Sequence, residues 1–205
     1  LFAVPTGNFG NVFAGWLLRK MGIPVAEFRV STNQNDVLHR LFGTGEYSLG
    51  SVVPSLAPSM DIQVASNFER LLYFIFEQDT KKVMEAMHAF QEEGKICLDQ
   101  FFTSGFSSSS ALDEEIPEII NNVWKDYQYI VDPHTACAFK DLDPFRSTVI
   151  LATAHPAKFP KVYEETDIST PIARELELLM NRTPRKFQVG VDSASIRSFI
   201  ERKIS

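Results

Sequence analysis

A short stretch near the start of the chain, residues 7–11 with the sequence GNFGN, combines two glycines with two asparagines. It follows an apolar run at residues 1–5 and precedes apolar residues at helical spacing, so it is predicted to join a buried strand to a helix. Glycine can take positive φ and lets the backbone approach a ligand closely. A helix N-terminus attracts anions. The stretch therefore predicts a site for a phosphate dianion.

The same stretch also fits an ordinary strand-to-helix turn. Asn8 and Asn11 tolerate left-handed conformations, and Asn11 could cap the following helix. No lysine stands where a P-loop would place one, and the glycine spacing differs from the dinucleotide-binding fingerprint. The loop alone leaves an anion site and a structural turn both open, and it disfavours a nucleoside triphosphate or a dinucleotide.

A second polar group follows an apolar run near residue 150. Residues 147–153 are predicted to form a central strand that ends at Thr153. Ligands of open α/β sheets lie beyond the carboxyl ends of the strands. Taken alone, a threonine at the end of a strand is more often satisfied by the backbone than by a ligand.

Four further candidates for acid–base or substrate contacts carry weaker signals. Asp132 and His134 could exchange protons, but Asp-Pro commonly begins a helix, so a cap is favoured. His155 and Lys158 could meet the phosphate or carboxylate of a substrate, or could lie in a solvated loop. They are therefore not assigned to a site.

The elements that must position these groups follow an α/β pattern. The first 31 residues show a strand, a loop, a helix and a strand, as in the βαβ unit of a parallel sheet. Residues 51–66 are predicted to be an irregular crossing, and the serine-rich residues 102–115 to be a loop with a helix cap. A helix capped by Asn35 or Asp36 is predicted to end near Gly43 to Gly45. Further helices are predicted at 68–76, 80–93, 113–124, from Pro133, at 170–181 and at 193–204.

Composition excludes several classes of function. The chain has 205 residues, of which 44% are hydrophobic, and a net charge of −6, which argues against a nucleic-acid partner. No run of eighteen apolar residues and no secretory signal is present, so no membrane partner is expected. Two isolated cysteines and four scattered histidines predict neither a disulfide framework nor a metal site, and they favour a reducing, cytoplasmic location.

The start of the chain is unusual for a domain. The first residue is Leu1 rather than methionine, and it lies within an apparent core strand. Because chain termini usually lie at the surface, we expect this sequence to be the C-terminal part of a longer protein.

Five segments together resemble the threonine synthase family, whose members use pyridoxal 5'-phosphate (PLP) and share fold type II, the tryptophan-synthase-β-like fold. In family order, from residue 5 to about residue 160, they are PTGNFGN, TNQNDVLHRLFGTGEY, PSMDIQVASNFERLL, VDPHTA and ATAHPAKF. The resemblance implies an α/β fold with a largely parallel sheet flanked by helices, a partial large domain of a fold type II PLP enzyme. Residues 1–165 would be the C-terminal part of the PLP-binding domain, and residues 166–205 a helical extension packed on it.

The resemblance also implies roles for individual residues. Thr153 would approach the pyridine nitrogen of PLP, where a neutral hydroxyl can donate to an unprotonated ring nitrogen. The Schiff-base lysine and most contacts to the substrate phosphate are expected upstream of residue 1. No catalytic residue is therefore predicted here, and the chain alone is predicted to be inactive. The residues implied to hold the cofactor phosphate are Gly7, Asn8, Phe9, Gly10 and Asn11.

The implied reaction of the intact enzyme converts O-phospho-L-homoserine and water to L-threonine and phosphate. Its partners would be that small-molecule substrate and the missing N-terminal segment of the same protein. Two alternatives stay open: a threonine-synthase-like phospho-lyase that acts on a related amino-acid phosphate, and a non-catalytic module that retains the fold.

Overall fold

The computed structural model of the protein describes residues 1–98 and 105–204. Residues 102–104 of the serine-rich segment lie outside the described residues. The strands are β1 (Phe2–Pro5), β2 (Phe28–Thr32), β3 (Glu46–Ser48), β4 (Lys95–Cys97), β5 (Phe106–Ser110) and β6 (Val149–Ile150). The helices are α1 (Gly10–Lys20), α2 (Val37–Thr44), α3 (Phe68–Ile75), α4 (Thr80–Glu93), α5 (Ile116–Tyr127), α6 (Pro133–Cys137), α7 (Arg174–Met180) and α8 (Ser193–Ile204).

Four of the strands form one parallel sheet in the order β5-β2-β1-β6. Phe2 on β1 is paired with Phe28 on β2 and with Val149 on β6, and Phe28 is paired with Phe106 on β5. The predicted parallel α/β sheet, with the strands at both ends of the chain in it, is therefore confirmed. Because all four strands are parallel, the loops that follow β1, β2, β5 and β6 leave the sheet at the same edge.

Two hydrophobic clusters hold these elements together. One packs α1 to α4 and the β3–β4 ribbon against β1 and β2, with Val4, Val30 and Leu72 at most 1% exposed. The other surrounds α5 and α6 and includes Ile116 and Ile120, both fully buried. The apolar residues of the sequence thus pack helices around the sheet, and this packing fixes the edge at which the strands end.

The serine-rich segment was wrongly predicted to be a loop. Residues 106–110 form β5, paired in parallel with β2. Serine has little intrinsic preference for strands, but here its hydroxyls are satisfied across the sheet: Ser109 Oγ lies 3.1 Å from Ser31 Oγ, and Ser110 Oγ donates to the Asn33 carbonyl at 2.9 Å. Pairing with a distant strand outweighs the local preference.

The start of α6 is predicted correctly. The Asp132 carboxylate accepts hydrogen bonds from the backbone N–H groups of His134 and Thr135 and so caps α6, which begins at Pro133. β6, in contrast, is shorter than predicted, with two strand residues instead of 147–153.

The described part of the chain divides into two compact units, Leu1–Pro171 and Ile172–Ser205. The predicted boundary at residue 165 and the packing of residues 166–205 stay predictions. Within the second unit, Asp192 caps α8 through the N–H of Ser195 at 2.8 Å, and the rings of Phe187 and Phe199 lie 5.3 Å apart. None of the described helices is long and apolar enough to cross a membrane.

Candidate functional site

The loop after β1 is shaped by a buried aromatic residue. Phe9, the residue before α1, has φ 65°, in the left-handed region that a non-glycine residue seldom adopts. Its ring is fully buried and lies 5.8 Å from each of the rings of Phe42 and Phe68. Its N–H donates to Thr6 Oγ1 at 3.0 Å. Core packing therefore holds the backbone of this loop in a conformation that costs about 1–2 kcal/mol in isolation.

The resulting backbone has the geometry of an anion site. A left-handed residue, Phe9, is followed at once by the right-handed helix from Gly10, and such a reversal aims successive N–H groups at one side of the chain. The first N–H groups of α1 have no carbonyl within the helix to bond. Its first turn contains no acidic residue, and Gly10 and Asn11 are exposed. The loop thus offers convergent, solvent-facing donors at the positive end of a helix dipole.

Neither glycine of this loop supplies positive φ, which corrects one expectation, and Gly7 instead provides clearance. Among the described residues, positive φ in this loop occurs at Phe9 and at neither Gly7 nor Gly10. A Cβ on Gly7 would lie 3.0 Å from Met60 Cα and 3.2 Å from Ile62 Cδ1. The crossing that contains Met60 is therefore packed directly on the loop, and a side chain at position 7 would have to displace the Met60 backbone by a few tenths of an ångström.

A second expectation is also wrong: Asn11 does not cap α1, because the helix begins one residue earlier, at Gly10. The asparagine that braces the loop is Asn8. Its Oδ1 accepts from the Ser66 N–H at 3.2 Å, and its carbonyl accepts from the Asn67 N–H at 3.2 Å. Sequence reasoning did not assign Ser66 and Asn67 to the site, although they precede α3 within the segment PSMDIQVASNFERLL.

Thr153 lies in the loop that follows β6, three residues beyond the strand. The hydrogen bonds between β1 and β6 continue as far as Leu151, whose N–H donates to the Ala3 carbonyl at 3.0 Å. The Thr153 side chain is exposed, and its N–H donates to Thr135 Oγ1 at 3.3 Å. Because β6 is the direct neighbour of β1, Thr153 and the loop at residues 7–11 leave the sheet at the same edge.

A buried polar cluster lies behind Thr153. Asp132, His134 and Thr135 are each at most 3% exposed. Asp132 Oδ1 lies 2.9 Å from His134 Nδ1, and Asp132 Oδ2 accepts from the Thr135 hydroxyl. Burial acts to raise the pKa of the Asp132 carboxyl, but the hydrogen bonds from His134 and Thr135 outweigh it and hold that pKa below its ordinary value. The carboxylate is therefore charged and fully engaged at neutral pH.

The two hydrogen bonds of the His134 ring define its protonation state. Nε2 accepts from the backbone N–H of Ser59 at 3.0 Å, so the ring proton is on Nδ1, facing Asp132. Phe159 covers the ring, with the two ring centres 4.5 Å apart. His134 is thus a neutral, buried bridge rather than a group exposed to a substrate.

A further polar cluster follows β2 at the same edge and was missed from the sequence. The side-chain amides of Asn33 and Asn35 both donate to Asp61 Oδ1, at 2.7 and 2.9 Å, and fix the crossing against the end of β2.

His155, considered as a substrate contact, accepts from the Ala157 N–H at 3.2 Å through Nδ1. Within residues 1–98 and 105–204 no three His, Cys, Asp or Glu side chains are grouped so that they could hold a metal ion.

Comparison with known proteins gives one consistent result. Residues 134–200 match the family model "Threonine synthase, C-terminal". Threonine synthase of Pseudomonas aeruginosa is 40% identical over 97% of this chain and 45% of its own length. The structure of PLP-bound threonine synthase from Brucella melitensis superposes with a TM-score of 0.81 and 36% identity, over 89% of this chain and 41% of that one. The yeast enzyme gives a TM-score of 0.82 at 30% identity, over 99% of this chain and 47% of that one.

These matches confirm the resemblance drawn from the five sequence segments, and they confirm the fold class. The chain spans less than half the length of the relatives described above. The activity of a whole protein is therefore a separate inference from the geometry of this part.

Proposed function

We propose that this chain, which matches the C-terminal part of threonine synthases in sequence and fold, performs that part's role in the conversion of O-phospho-L-homoserine and water to L-threonine and phosphate, with PLP as cofactor. One observation carries the proposal. The loop at residues 7–11 and Thr153 follow neighbouring parallel strands, β1 and β6, and so share the edge of the sheet where α/β proteins bind ligands.

The phosphate of PLP is assigned to Gly7, Asn8, Phe9, Gly10 and Asn11. The donors are the backbone N–H groups of Gly10 and Asn11, just after the reversal at Phe9, to which the exposed side-chain amide of Asn11 can add. The absence of a side chain at Gly10 leaves those donors open, and no acidic residue in the first turn of α1 repels the dianion. Asn8, held by Ser66, keeps the loop against α3.

The pyridine ring is assigned to Thr153. When bound, PLP acts as the electron sink for bond changes at the substrate. The exposed Thr153 hydroxyl can donate to the ring nitrogen without protonating it, whereas a carboxylate would favour a protonated ring. Exchanging Thr153 for a carboxylate, which can still bond the ring nitrogen, should therefore change the electronic state of the ring more than the strength with which PLP is held.

The remaining parts of the active site are assigned to the N-terminal segment of the same protein, which is the proposed partner of this chain. That segment would supply the Schiff-base lysine and most contacts to the substrate phosphate. Residues 1–205 alone are expected to be inactive. A cytoplasmic location is proposed as well, supported by the two free cysteines, Cys97 and Cys137.

The test uses the full-length protein that carries this segment and measures PLP-dependent release of phosphate from O-phospho-L-homoserine. Thr153→Asp should lower kcat about tenfold, the factor produced by losing one useful hydrogen bond, and change the PLP dissociation constant less. Thr148→Asp, a change just before β6 at its opposite end, is the matched control and should affect neither. Residues 1–205 alone should release no phosphate.

Two results would contradict different parts of the proposal. A full-length protein that neither binds PLP nor releases phosphate would refute the assigned reaction. An active protein whose kcat is unchanged in Thr153→Asp would refute only the contact between Thr153 and the ring.

A further inference from the structure

We infer that Asp132, His134 and Thr135 form a positioning unit that fixes the ring end of the cofactor site relative to its phosphate end. The inference rests on the proposed function, because it uses the two ends assigned above. It adds three buried residues that make no contact with the cofactor and act through Thr153 and through the phosphate loop, residues 7–11.

The link to the ring end passes through Thr135. Its hydroxyl has one proton, which it donates to Asp132 Oδ2, so a lone pair of the same oxygen faces the Thr153 N–H at 3.3 Å. Asp132 therefore orients the hydroxyl that holds the Thr153 backbone. Without that hydroxyl, the loop after β6 loses the hydrogen bond that fixes Thr153 to α6.

The link to the phosphate end passes through His134. Its Nε2 accepts from the Ser59 N–H at 3.0 Å, which fixes the turn at residues 58–60. Met60 of that turn is so close to Gly7 that a Cβ on the glycine would lie 3.0 Å from Met60 Cα. The turn at residues 58–60 thus packs against the phosphate loop, and the His134 ring holds this turn in place.

One carboxylate joins the two links. Asp132 Oδ1 orients the His134 ring at 2.9 Å, and Asp132 Oδ2 orients the Thr135 hydroxyl. A helix cap would need only the backbone N–H groups of α6, which Asp132 also binds. The two side chains reach further, one to the loop of Thr153 and one to the turn against Gly7. Because the ring and the phosphate of PLP are joined by only a short methylene–oxygen arm, a shift of one end of the site relative to the other weakens its binding and misaligns its ring.

The first test is Thr135→Val in the full-length protein, a change that keeps the shape and removes the hydroxyl. The apoprotein is titrated with PLP, and stability is followed by urea denaturation without PLP. The dissociation constant of PLP should rise about tenfold, as for a lost hydrogen bond to a charged partner, and Thr135→Ser should restore it.

The matched control is Tyr163→Phe. The Tyr163 hydroxyl is buried in the hydrophobic cluster around α5 and α6 and donates to the Val131 carbonyl at 2.9 Å. Within the described residues it makes no hydrogen bond to Thr153 or Ser59. It should lower the urea midpoint about as much as Thr135→Val and leave the PLP dissociation constant unchanged. This separates positioning from general stability.

A second variant approaches from the other end. In His134→Asn, the amide can still donate to Asp132 in place of Nδ1, but no acceptor remains for the Ser59 N–H. PLP should bind more weakly in this variant too, although Thr135 and Thr153 are untouched, and it serves as the test if Thr135→Val does not fold.

The outcomes separate the two hypotheses. Weaker PLP binding in Thr135→Val or His134→Asn, with wild-type binding in Tyr163→Phe and Thr135→Ser, supports the positioning unit. Equal PLP binding in Thr135→Val, His134→Asn and Tyr163→Phe overturns it and leaves the proposed function intact. A wild-type protein that binds no PLP overturns both.

Discussion

Exchanging each glycine of the phosphate loop for alanine should separate packing from binding. Both changes add one methyl group, and neither glycine has positive φ, so backbone strain does not distinguish them. At Gly7 the methyl would lie 3.0 Å from Met60 Cα, a backbone atom that cannot rotate away. At Gly10 the nearest atom is the Asn67 side-chain nitrogen at 3.4 Å, an ordinary contact. Gly7→Ala should therefore destabilise the protein, and Gly10→Ala should not.

The magnitude follows from two opposing terms. An added methyl in a tightly packed site costs about 1–3 kcal/mol, whereas replacing glycine by alanine gains about 0.4–1 kcal/mol by restricting the unfolded chain. For Gly7→Ala the balance is a loss of about 1–2 kcal/mol. For Gly10→Ala only the gain applies, so the two variants should differ by about 2 kcal/mol in free energy of unfolding.

Urea denaturation of the apoprotein measures this difference. With a urea slope of about 1–3 kcal/mol per M, the midpoint of Gly7→Ala should lie about 0.7–2 M below that of Gly10→Ala. A PLP titration should then show weaker binding in Gly10→Ala although its stability is no lower than that of the wild type, because its methyl projects beside the exposed donors. Equal midpoints for the two variants would refute the claim that the Met60 backbone opposes a side chain at position 7.

Two further predictions concern buried groups. Burial raises the pKa of the Cys137 thiol, and the negative charge of Asp132 raises it further. Cys137 should therefore react with a thiol reagent only when the protein unfolds, whereas the exposed Cys97 should react at once. Mass spectrometry of the labelled native protein measures this, and fast labelling of Cys137 would contradict the fold around α6. Burial raises the pKa of the Asp132 carboxyl, but its hydrogen bonds lower that pKa by more, so the folded pKa lies below the unfolded value of about 4. The stabilisation by this carboxylate is therefore present above about pH 4 and is lost as the pH falls through that value toward the folded pKa. Asp132→Asn should therefore reduce the loss of urea stability between pH 5 and pH 3, and identical pH profiles in the two proteins would refute this reading.

The features that could be predicted from the sequence are those encoded locally. Helix caps are local, so α6 after Asp132 and α8 after Asp192 were predicted to within a residue. β5 was not, because a run of serines forms a strand only when β2 is beside it. The short ribbon of β3 and β4 joins segments almost fifty residues apart, and neither three-residue segment has a sequence pattern that predicts their pairing.

The same distinction applies to the candidate site. The loop at residues 7–11 and Thr153 could be found because each belongs to a short sequence segment with a recognisable pattern. The link from Thr153 to Thr135, and from His134 to Ser59, could not be found because each bond joins different segments. Asp132 was predicted as a cap, and its additional bonds to two side chains appear only once α6 is folded.

The loop conformation is set by the core, which makes it independent of a ligand. A phenylalanine rather than a glycine takes the left-handed conformation at position 9, at a cost of about 1–2 kcal/mol. Full burial of its ring stabilises the fold by about 1.5–3 kcal/mol, enough to offset that cost. A glycine there would remove the strain and the anchor together. The donors at the start of α1 should therefore already converge in the apoprotein, so that PLP binding does not have to order the loop.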